Sequence, residues 1–114
     1  MRLCLALAAL LAGALHVTPA ASESIGNVQR GSEYAQQVCA SCHAVRLEDL
    51  ESPVAEAPPF KMIADRPEMT RLALQVFLQS PHPTMPDLML GAEDADNVIA
   101  YILSLKGQDA ASLR

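Results

Sequence analysis

The stretch Cys39-Ala40-Ser41-Cys42-His43 holds two thiols three positions apart, with an imidazole directly after the second. This Cys-x-x-Cys-His spacing is the attachment sequence for a covalently bound haem. The two sulfurs can add to the two vinyl groups of a protoporphyrin, because the spacing keeps both within reach of one ring edge. The motif therefore predicts one covalent haem held by Cys39 and Cys42, with His43 as the fifth ligand of the iron.

Two close cysteines also occur in redox-active dithiols, structural zinc sites and disulfides. A thioredoxin-like dithiol lies near a βαβ pattern, whereas no strand signal precedes Cys39. A structural zinc ion needs four ligands, and outside the motif the chain offers only His82, His16 and Cys4. The last two lie in a segment that we expect to be removed. A dithiol or a disulfide remains the alternative, although neither of them requires the adjacent histidine.

The N-terminal segment has the pattern of an export signal. Arg2 gives a short positive start, and Leu3 to Leu15 is an almost uninterrupted run of Leu and Ala. Small residues from Ala20 to Ser22 provide the cleavage region. The apolar run is shorter than the roughly 18 residues of a spanning helix, which argues against the alternative of a retained signal anchor. We predict a signal peptide over 1–20, a flexible segment over 21–27, a domain over 28–107 and a flexible tail over 108–114.

Composition agrees with one small exported domain in the periplasm. The 114-residue chain has a formal net charge of −5, and removal of residues 1–20 takes away Arg2 and no acid, which leaves −6. An acidic domain argues against nucleic acid and an anionic membrane surface, and it favours a partner with a basic docking face. Ordinary solubility charge is the simpler explanation. Two Phe, two Tyr and no Trp agree with a small core that a haem completes.

Helical periodicity recurs three times after the predicted cleavage region. The first predicted helix runs from about Val28 to Cys39 and leads into the haem motif. The second runs from about Pro67 to Gln79, with its proline in the first turn. The third runs from Ala92 to Leu105, with two acids in its first turn and Gly107 just after its end. We therefore predict an all-α protein of three to four helices around one haem.

Loops separate the predicted helices. Residues 47–59 carry four acids and three prolines and have no sustained period. Residues 80–86 contain three prolines, which exclude a helix. The second predicted helix is expected to face the core with an apolar stripe formed by Met69, Leu72, Ala73, Val76 and Phe77.

In this order of elements the chain resembles the class I c-type cytochromes, which are small single-haem electron carriers. The resemblance extends from about Val28 to Lys106. It implies the cytochrome c fold, in which the N-terminal and C-terminal helices cross closely, and Gly31, Tyr34 and Tyr101 stand where that contact would be made. Gly31 has a physical reason there, since a side chain would hold the two backbones apart. A glycine merely tolerated in a helix is the alternative.

The resemblance also implies a haem pocket on the His43 side of the iron. The second ring nitrogen of a ligating histidine donates to an acceptor that fixes its tautomer and ring plane. In the family this acceptor is a carbonyl of the proline loop, and the matching residue is Pro58. Phe60 would pack on the haem edge, and Tyr101 would lie in the haem pocket or at the helix contact.

For the sixth iron ligand the resemblance indicates Met85. Its Pro-Thr-Met-Pro segment is similar to the Met-Pro ligand loop of the family. Met89 and His82 are the alternatives for this position, and imidazole is the commoner metal ligand in general. Met62 and Met69 are predicted to be packing residues. A His/Met iron has no open coordination position, which favours a carrier over a catalyst.

These expectations together describe a periplasmic monohaem cytochrome c that carries one electron and is not an enzyme. The resemblance implies redox protein partners, such as a periplasmic dehydrogenase, a bc1-type complex or a terminal oxidase, with no stable membrane anchor after signal cleavage. Three alternatives stay open. They are a dedicated haem subunit of a periplasmic dehydrogenase, a peroxidase or gas sensor with an open sixth site, and a haem-free dithiol protein.

Overall fold

The computed structural model describes residues 25–109 and 111. Within these residues the chain is helical and contains no β-strand, which confirms the predicted all-α class. None of the described helices is long and apolar enough to cross a bilayer. The predicted signal peptide over 1–20 and residues 21–24 of the predicted flexible segment lie outside the described residues. The elements in chain order are α1 (Val28–Tyr34), a π-helical segment (Ala35–Cys39), α2 (Phe60–Ala64), α3 (Arg71–Gln79) and α4 (Ala92–Ser104).

Helix α1 begins at a polar cap that also contacts α4. The side chain of Asn27 accepts a hydrogen bond of 2.9 Å from Arg30 N, which satisfies a free amide of the first turn. The backbone N–H of Asn27 donates to Asn97 Oδ1 at 2.7 Å. Arg71 of α3 donates to the carbonyl of Ile25. Residues 25–27, the end of the segment predicted to be flexible, are therefore hydrogen-bonded to the helices.

The first predicted helix changes its winding before the haem motif. It is α-helical to Tyr34 and π-helical over Ala35–Cys39, where Ala40 N donates to Ala35 O at 2.9 Å. Single π-helical turns inside helices are rare and occur frequently at functional sites. Here the wider turn ends on Cys39, the first residue of the motif. Apolar periodicity does not distinguish this winding from an α-helix.

Helices α1 and α4 cross at Gly31 with their backbones in contact. A Cβ atom at this glycine would lie 2.0 Å from Asn97 O and 2.8 Å from Tyr101 Cβ. No side chain fits at such distances, so the close approach requires glycine. Beside the crossing, the buried hydroxyl of Tyr101 donates to Val45 O at 2.7 Å. This bond ties α4 to the segment that follows the haem motif.

Two element boundaries differ from the sequence prediction. Helix α3 begins at Arg71 rather than near Pro67, because Thr70 caps it by accepting from Ala73 N at 3.2 Å. The short helix α2 was not predicted. Its five residues are too few for a helical period to show in the sequence.

The predicted apolar stripe of α3 is wrong at two positions. Leu72 and Val76 are 70% and 54% exposed, whereas Phe77 lines the cavity described below. The buried side of the helix is formed instead by Leu74, with Ala73 and Leu78 packed partly against the core. A helix that contacts the core along a narrow line buries only part of an apolar face.

The two predicted packing methionines have different outcomes. Met69 is 5% exposed and belongs to the core, as predicted. Met62 is 61% exposed, so its prediction as a packing residue is wrong. It lies on the outer side of α2, a helix whose buried residues are Phe60 and Ala64.

Candidate haem-binding site

A cavity of about 380 Å³ opens beside the core. This volume is within the range of cofactor and ligand sites, roughly 300–1,000 Å³. Its walls come from the haem motif, the proline loop and α2, the end of α3, and residues 82–90. Apolar core residues form a further part of the lining: Met69, Leu74, Val98 and Ile102.

The haem motif forms a tight turn at the edge of this cavity. Cys42 N and His43 N both donate to Cys39 O, at 3.1 and 2.9 Å. The turn brings the two sulfurs and the imidazole together, and all three side chains line the cavity. Cys39 is buried and Cys42 is half-buried, and both thiols are free.

The environment of Cys39 argues against a redox-active dithiol. Burial, and to a smaller extent the neighbouring Cys42, raise the pKa of Cys39 to about 11. A reactive dithiol works through a thiolate whose pKa is lowered below the usual value of about 8.5. The buried thiol is therefore a poor nucleophile at neutral pH, although it lies beside the cavity where a covalently attached group would be held.

The imidazole of His43 is oriented by a backbone carbonyl. Its Nδ1 lies 2.8 Å from Pro58 O, and because a carbonyl only accepts, Nδ1 carries the hydrogen. The lone pair on Nε2 is then available to a metal. The carbonyl is the one expected from the sequence, and Pro58 is itself in the cavity wall.

Phe60 connects the His43 ring to the core. Its buried ring lies 5.4 Å from the His43 ring and 6.5 Å from the Tyr101 ring, measured between centroids. Its backbone N–H donates to Ala44 O at 2.9 Å, which fixes the start of α2 next to the haem motif. Phe60 lines the cavity, whereas Tyr101 does not and lies at the helix contact.

Residues 80–91, here named the Met85 loop, supply the candidates for a further ligand. His82 and Met85 are half-buried and line the cavity. Their atoms Nε2 and Sδ are only 2.8 Å apart. Met89 is 92% exposed and does not line the cavity. The structure thus brings two of the three candidates together and leaves the third outside.

Sequence reasoning identified the polar and sulfur-containing residues of this site and missed most of its apolar wall. Leu88 and Leu90 are half-buried and face the cavity from the Met85 loop. The sequence signal that could have identified them is the presence of apolar residues in a segment that has prolines and no helical period. The other apolar wall residues that were missed are Val38, Val54, Ile63, Leu74, Leu78, Val98 and Ile102.

The donor set fits a haem. Two thiols can form the thioether attachments, one imidazole presents a free Nε2, and a thioether sulfur and a second imidazole face the same cavity. Histidine and methionine are the axial ligands found in cytochromes c. The largely apolar wall suits the ring of a porphyrin, which buries a wide hydrophobic surface.

Comparison with known proteins agrees with this geometry. The model of the Cytochrome c family matches residues 28–106. Cytochrome c-552 from Bradyrhizobium diazoefficiens is 38% identical over 76 residues, which cover 67% of this chain and 72% of that protein. No solved structure gave a significant match.

The chain therefore belongs to the cytochrome c family. It binds covalently attached haem c and is a haem protein of the electron-carrier kind that interacts with redox partners. The predicted family, the cytochrome c fold and the haem cofactor are confirmed.

Proposed function

We propose that this protein is a periplasmic monohaem cytochrome c that carries one electron at a time between two redox proteins, with the iron held between His43 and Met85. The observation that carries the proposal is the convergence of one imidazole and one thioether on a single cavity edged by Cys39 and Cys42. When bound, the haem supplies an iron that alternates between the ferric and ferrous states.

The side chains of the site hold and orient the cofactor. Cys39 and Cys42 attach the porphyrin covalently, so it stays with the protein through every cycle. The Pro58 carbonyl fixes the plane and tautomer of His43. The buried ring of Phe60, which is 4% exposed, lies 5.4 Å from the His43 ring between centroids. The histidine therefore has little freedom to turn. A ligand held this rigidly changes little when the iron changes charge.

The methionine and the apolar wall favour the reduced state. A thioether ligand raises the reduction potential relative to a second imidazole. Exclusion of water by the apolar residues that line the cavity acts in the same direction, since a low dielectric disfavours the more highly charged ferric centre. If His43 and Met85 both bind the iron, no coordination position would be left for a substrate, which supports a carrier rather than an enzyme.

The export signal predicted over residues 1–20 supports a periplasmic location. The negative formal charge of −5 supports partners with a basic docking face, because complementary charge speeds the encounter of two proteins. Interfaces between electron carriers and their partners are small and weak, which suits a protein that binds and releases two partners in turn.

A redox titration with optical detection tests the proposal. The full chain is expressed with export, and the purified haem protein is titrated while its absorption spectrum is recorded. We expect a c-type reduced spectrum, a weak long-wavelength sulfur-to-iron band in the oxidised form, and a one-electron curve of about 59 mV per decade. Absence of a covalently bound haem, or an oxidised spectrum without the sulfur band, would contradict it.

A further inference from the structure

His82 and Met85 are the first and last residues of one tight turn. Pro83 occupies the second position and Thr84 the third, with a φ of 71°, which is the pattern of a type II turn. Met85 N donates to His82 O at 3.4 Å and closes the turn. The ends of such a turn are neighbours. In this turn the imidazole therefore lies next to the thioether.

The ring of His82 is fixed in one orientation. Its Nδ1 lies 2.9 Å from Ser80 O, an acceptor that holds the Nδ1 hydrogen when Nε2 binds a metal. The Phe77 ring meets the imidazole edge-on, with the centroids 6.3 Å apart. The Nε2 atom lies 2.8 Å from the Met85 sulfur. The imidazole and the thioether therefore share one position in the wall of the cavity.

The same arrangement is found at His43. There too Nδ1 donates to a backbone carbonyl, Pro58 O at 2.8 Å, and Nε2 is left free. A carbonyl on the far nitrogen fixes the tautomer of a metal-ligating histidine and raises its basicity. A surface histidine that binds no metal requires neither a fixed tautomer nor a raised basicity. His82 is half-buried, lines the cavity and has the same kind of carbonyl acceptor for its Nδ1.

We propose that His82 is a reserve sixth ligand, whose Nε2 takes the iron position of Met85 whenever the thioether is absent or has left. This proposal rests on the proposed function, in which His43 and Met85 are the axial ligands. In the exchange one iron–sulfur bond breaks and one iron–nitrogen bond forms. The neutral imidazole would bind through the Nε2 lone pair with its Nδ1 hydrogen on Ser80 O, and no electron is transferred.

Thr84 lies between the two ligands in a strained backbone conformation. A β-branched residue with positive φ is an outlier, and strained residues of this kind cluster at segments that switch or clamp. Both side chains already line the cavity, so a small change in this turn is enough to exchange one for the other at the iron. The consequence is an iron that stays six-coordinate and closed to small molecules, at a lower reduction potential than the His/Met form.

The test uses exported, haem-containing variants with Met85→Ala, His82→Ala and both changes, with Met89→Ala as the control for loss of a methionine. Electron paramagnetic resonance and absorption spectra of the ferric proteins report the axial ligands. We expect Met85→Ala to lose the sulfur band, to remain low-spin and to have a lower midpoint potential. The double variant is expected to become high-spin. Met89→Ala and His82→Ala should keep the sulfur band.

Other ligands are separated by the double variant. His16 lies in the predicted signal, so His43 and His82 are the histidines of the mature chain. A low-spin double variant would show that another group, such as a lysine, replaces Met85, and it would overturn the proposal. A high-spin Met85→Ala protein would overturn it as well. Added imidazole should return the double variant to a low-spin spectrum, which shows that its pocket is intact.

These outcomes are distinct from a failure of the proposed function. If the wild-type protein lacks the sulfur band and becomes high-spin on the His82→Ala change alone, His82 is the resting ligand and the His43/Met85 assignment falls. If the wild type has the sulfur band and Met85→Ala is high-spin, the His43/Met85 assignment stands and the proposal that His82 is a reserve ligand is wrong.

Discussion

The helix crossing and the Met85 loop are built in opposite ways. At the crossing, Gly31 lies against the backbone of Asn97, both residues are buried, and Tyr101 is hydrogen-bonded to a buried carbonyl. In the Met85 loop none of residues 80–91 is buried, and the half-buried ones face the cavity. The crossing is completed by contacts within the chain. The loop instead packs along the cavity that a haem would fill.

This difference separates a scaffold from a ligand-carrying segment. Regions with few buried apolar contacts open at low free-energy cost, whereas core helices open only with the whole domain. The helices can therefore fix Cys39, Cys42 and His43, while the Met85 loop gains its stability from the haem that it covers. The predictions below test this division, beginning with the largest effect.

Removal of the haem should affect the loop most. The cavity of about 380 Å³ is open and lined mostly by apolar side chains, so without the haem the Met85 loop loses its apolar contacts on that side. We expect a haem-free protein with Cys39→Ala and Cys42→Ala to exchange the amide hydrogens of residues 80–91 at the unfolded rate. Residual protection should be confined to α1 and α4.

Hydrogen exchange measured by mass spectrometry distinguishes these regions. The haem-containing wild type, in which both regions should be protected, is the control. Equal protection of the loop and the helices in the haem-free protein would show that the loop does not depend on the cofactor.

Gly31→Ala should disrupt the crossing itself. The new Cβ would lie 2.0 Å from Asn97 O, so the helices must separate, and we expect a loss of about 3 kcal/mol in the free energy of unfolding. Gly91→Ala is the matched control, since its Cβ would meet only Asp94 Oδ2 at 3.9 Å. Its cost should stay under about 1 kcal/mol. Guanidinium unfolding of the haem proteins measures both, and equal losses would refute the close crossing.

Tyr101→Phe should weaken the link between α4 and the segment after the haem motif. The change leaves the buried Val45 carbonyl without its 2.7 Å hydrogen bond, which costs about 1–3 kcal/mol. The half-buried Tyr34, whose hydroxyl makes no hydrogen bond among the described residues, provides the control Tyr34→Phe. The denaturant midpoint of Tyr101→Phe should lie further below that of the wild type than the midpoint of Tyr34→Phe does. The reverse order would contradict the role given to Tyr101.

The smallest effect concerns Asp65, at the end of α2. Its hydrogen bond with Lys61, and then that from Gly107 N–H at 3.0 Å, lower the pKa of this carboxyl. A lowered pKa stabilises the folded state above the unfolded value of about 3.9, and the stabilisation is lost as the pH falls through the folded value. In Asp65→Asn the free energy of unfolding should therefore fall less steeply as the pH is lowered, which we call the acid limb of the curve. Lys61→Met should reduce the same limb, and an unchanged curve in both would contradict the assignment.

The sequence predicted those parts of the molecule in which local chemistry determines position. The Cys-x-x-Cys-His spacing and the long amphipathic α4 each follow from one short stretch, whereas the close contact at Gly31 was expected only from the family resemblance. Sequence reasoning failed where position depends on distant contacts. It missed the π-helical turn before Cys39 and included Leu72 in the apolar stripe of α3, although that side chain is 70% exposed.

For the site, the sequence identified the donors but not their grouping. It named Met85, His82 and Met89 as candidates for one position, and only the fold separates Met89, which is exposed, from the other two. The contact between His82 and Met85 depends on the positive φ of Thr84. A Pro-Thr dipeptide does not predict that conformation, because glycine or asparagine normally occupies the third position of a type II turn.

The most direct test of the ligation is a proton–carbon NMR spectrum of the reduced haem protein with labelled methionine methyl groups. The ring current of a haem shifts the methyl group of an iron-bound methionine far from the others. We predict one strongly shifted methyl signal, lost in Met85→Ala and retained in Met89→Ala. A wild-type spectrum without such a signal, or one whose shifted signal survives Met85→Ala, would contradict the account of the Met85 loop.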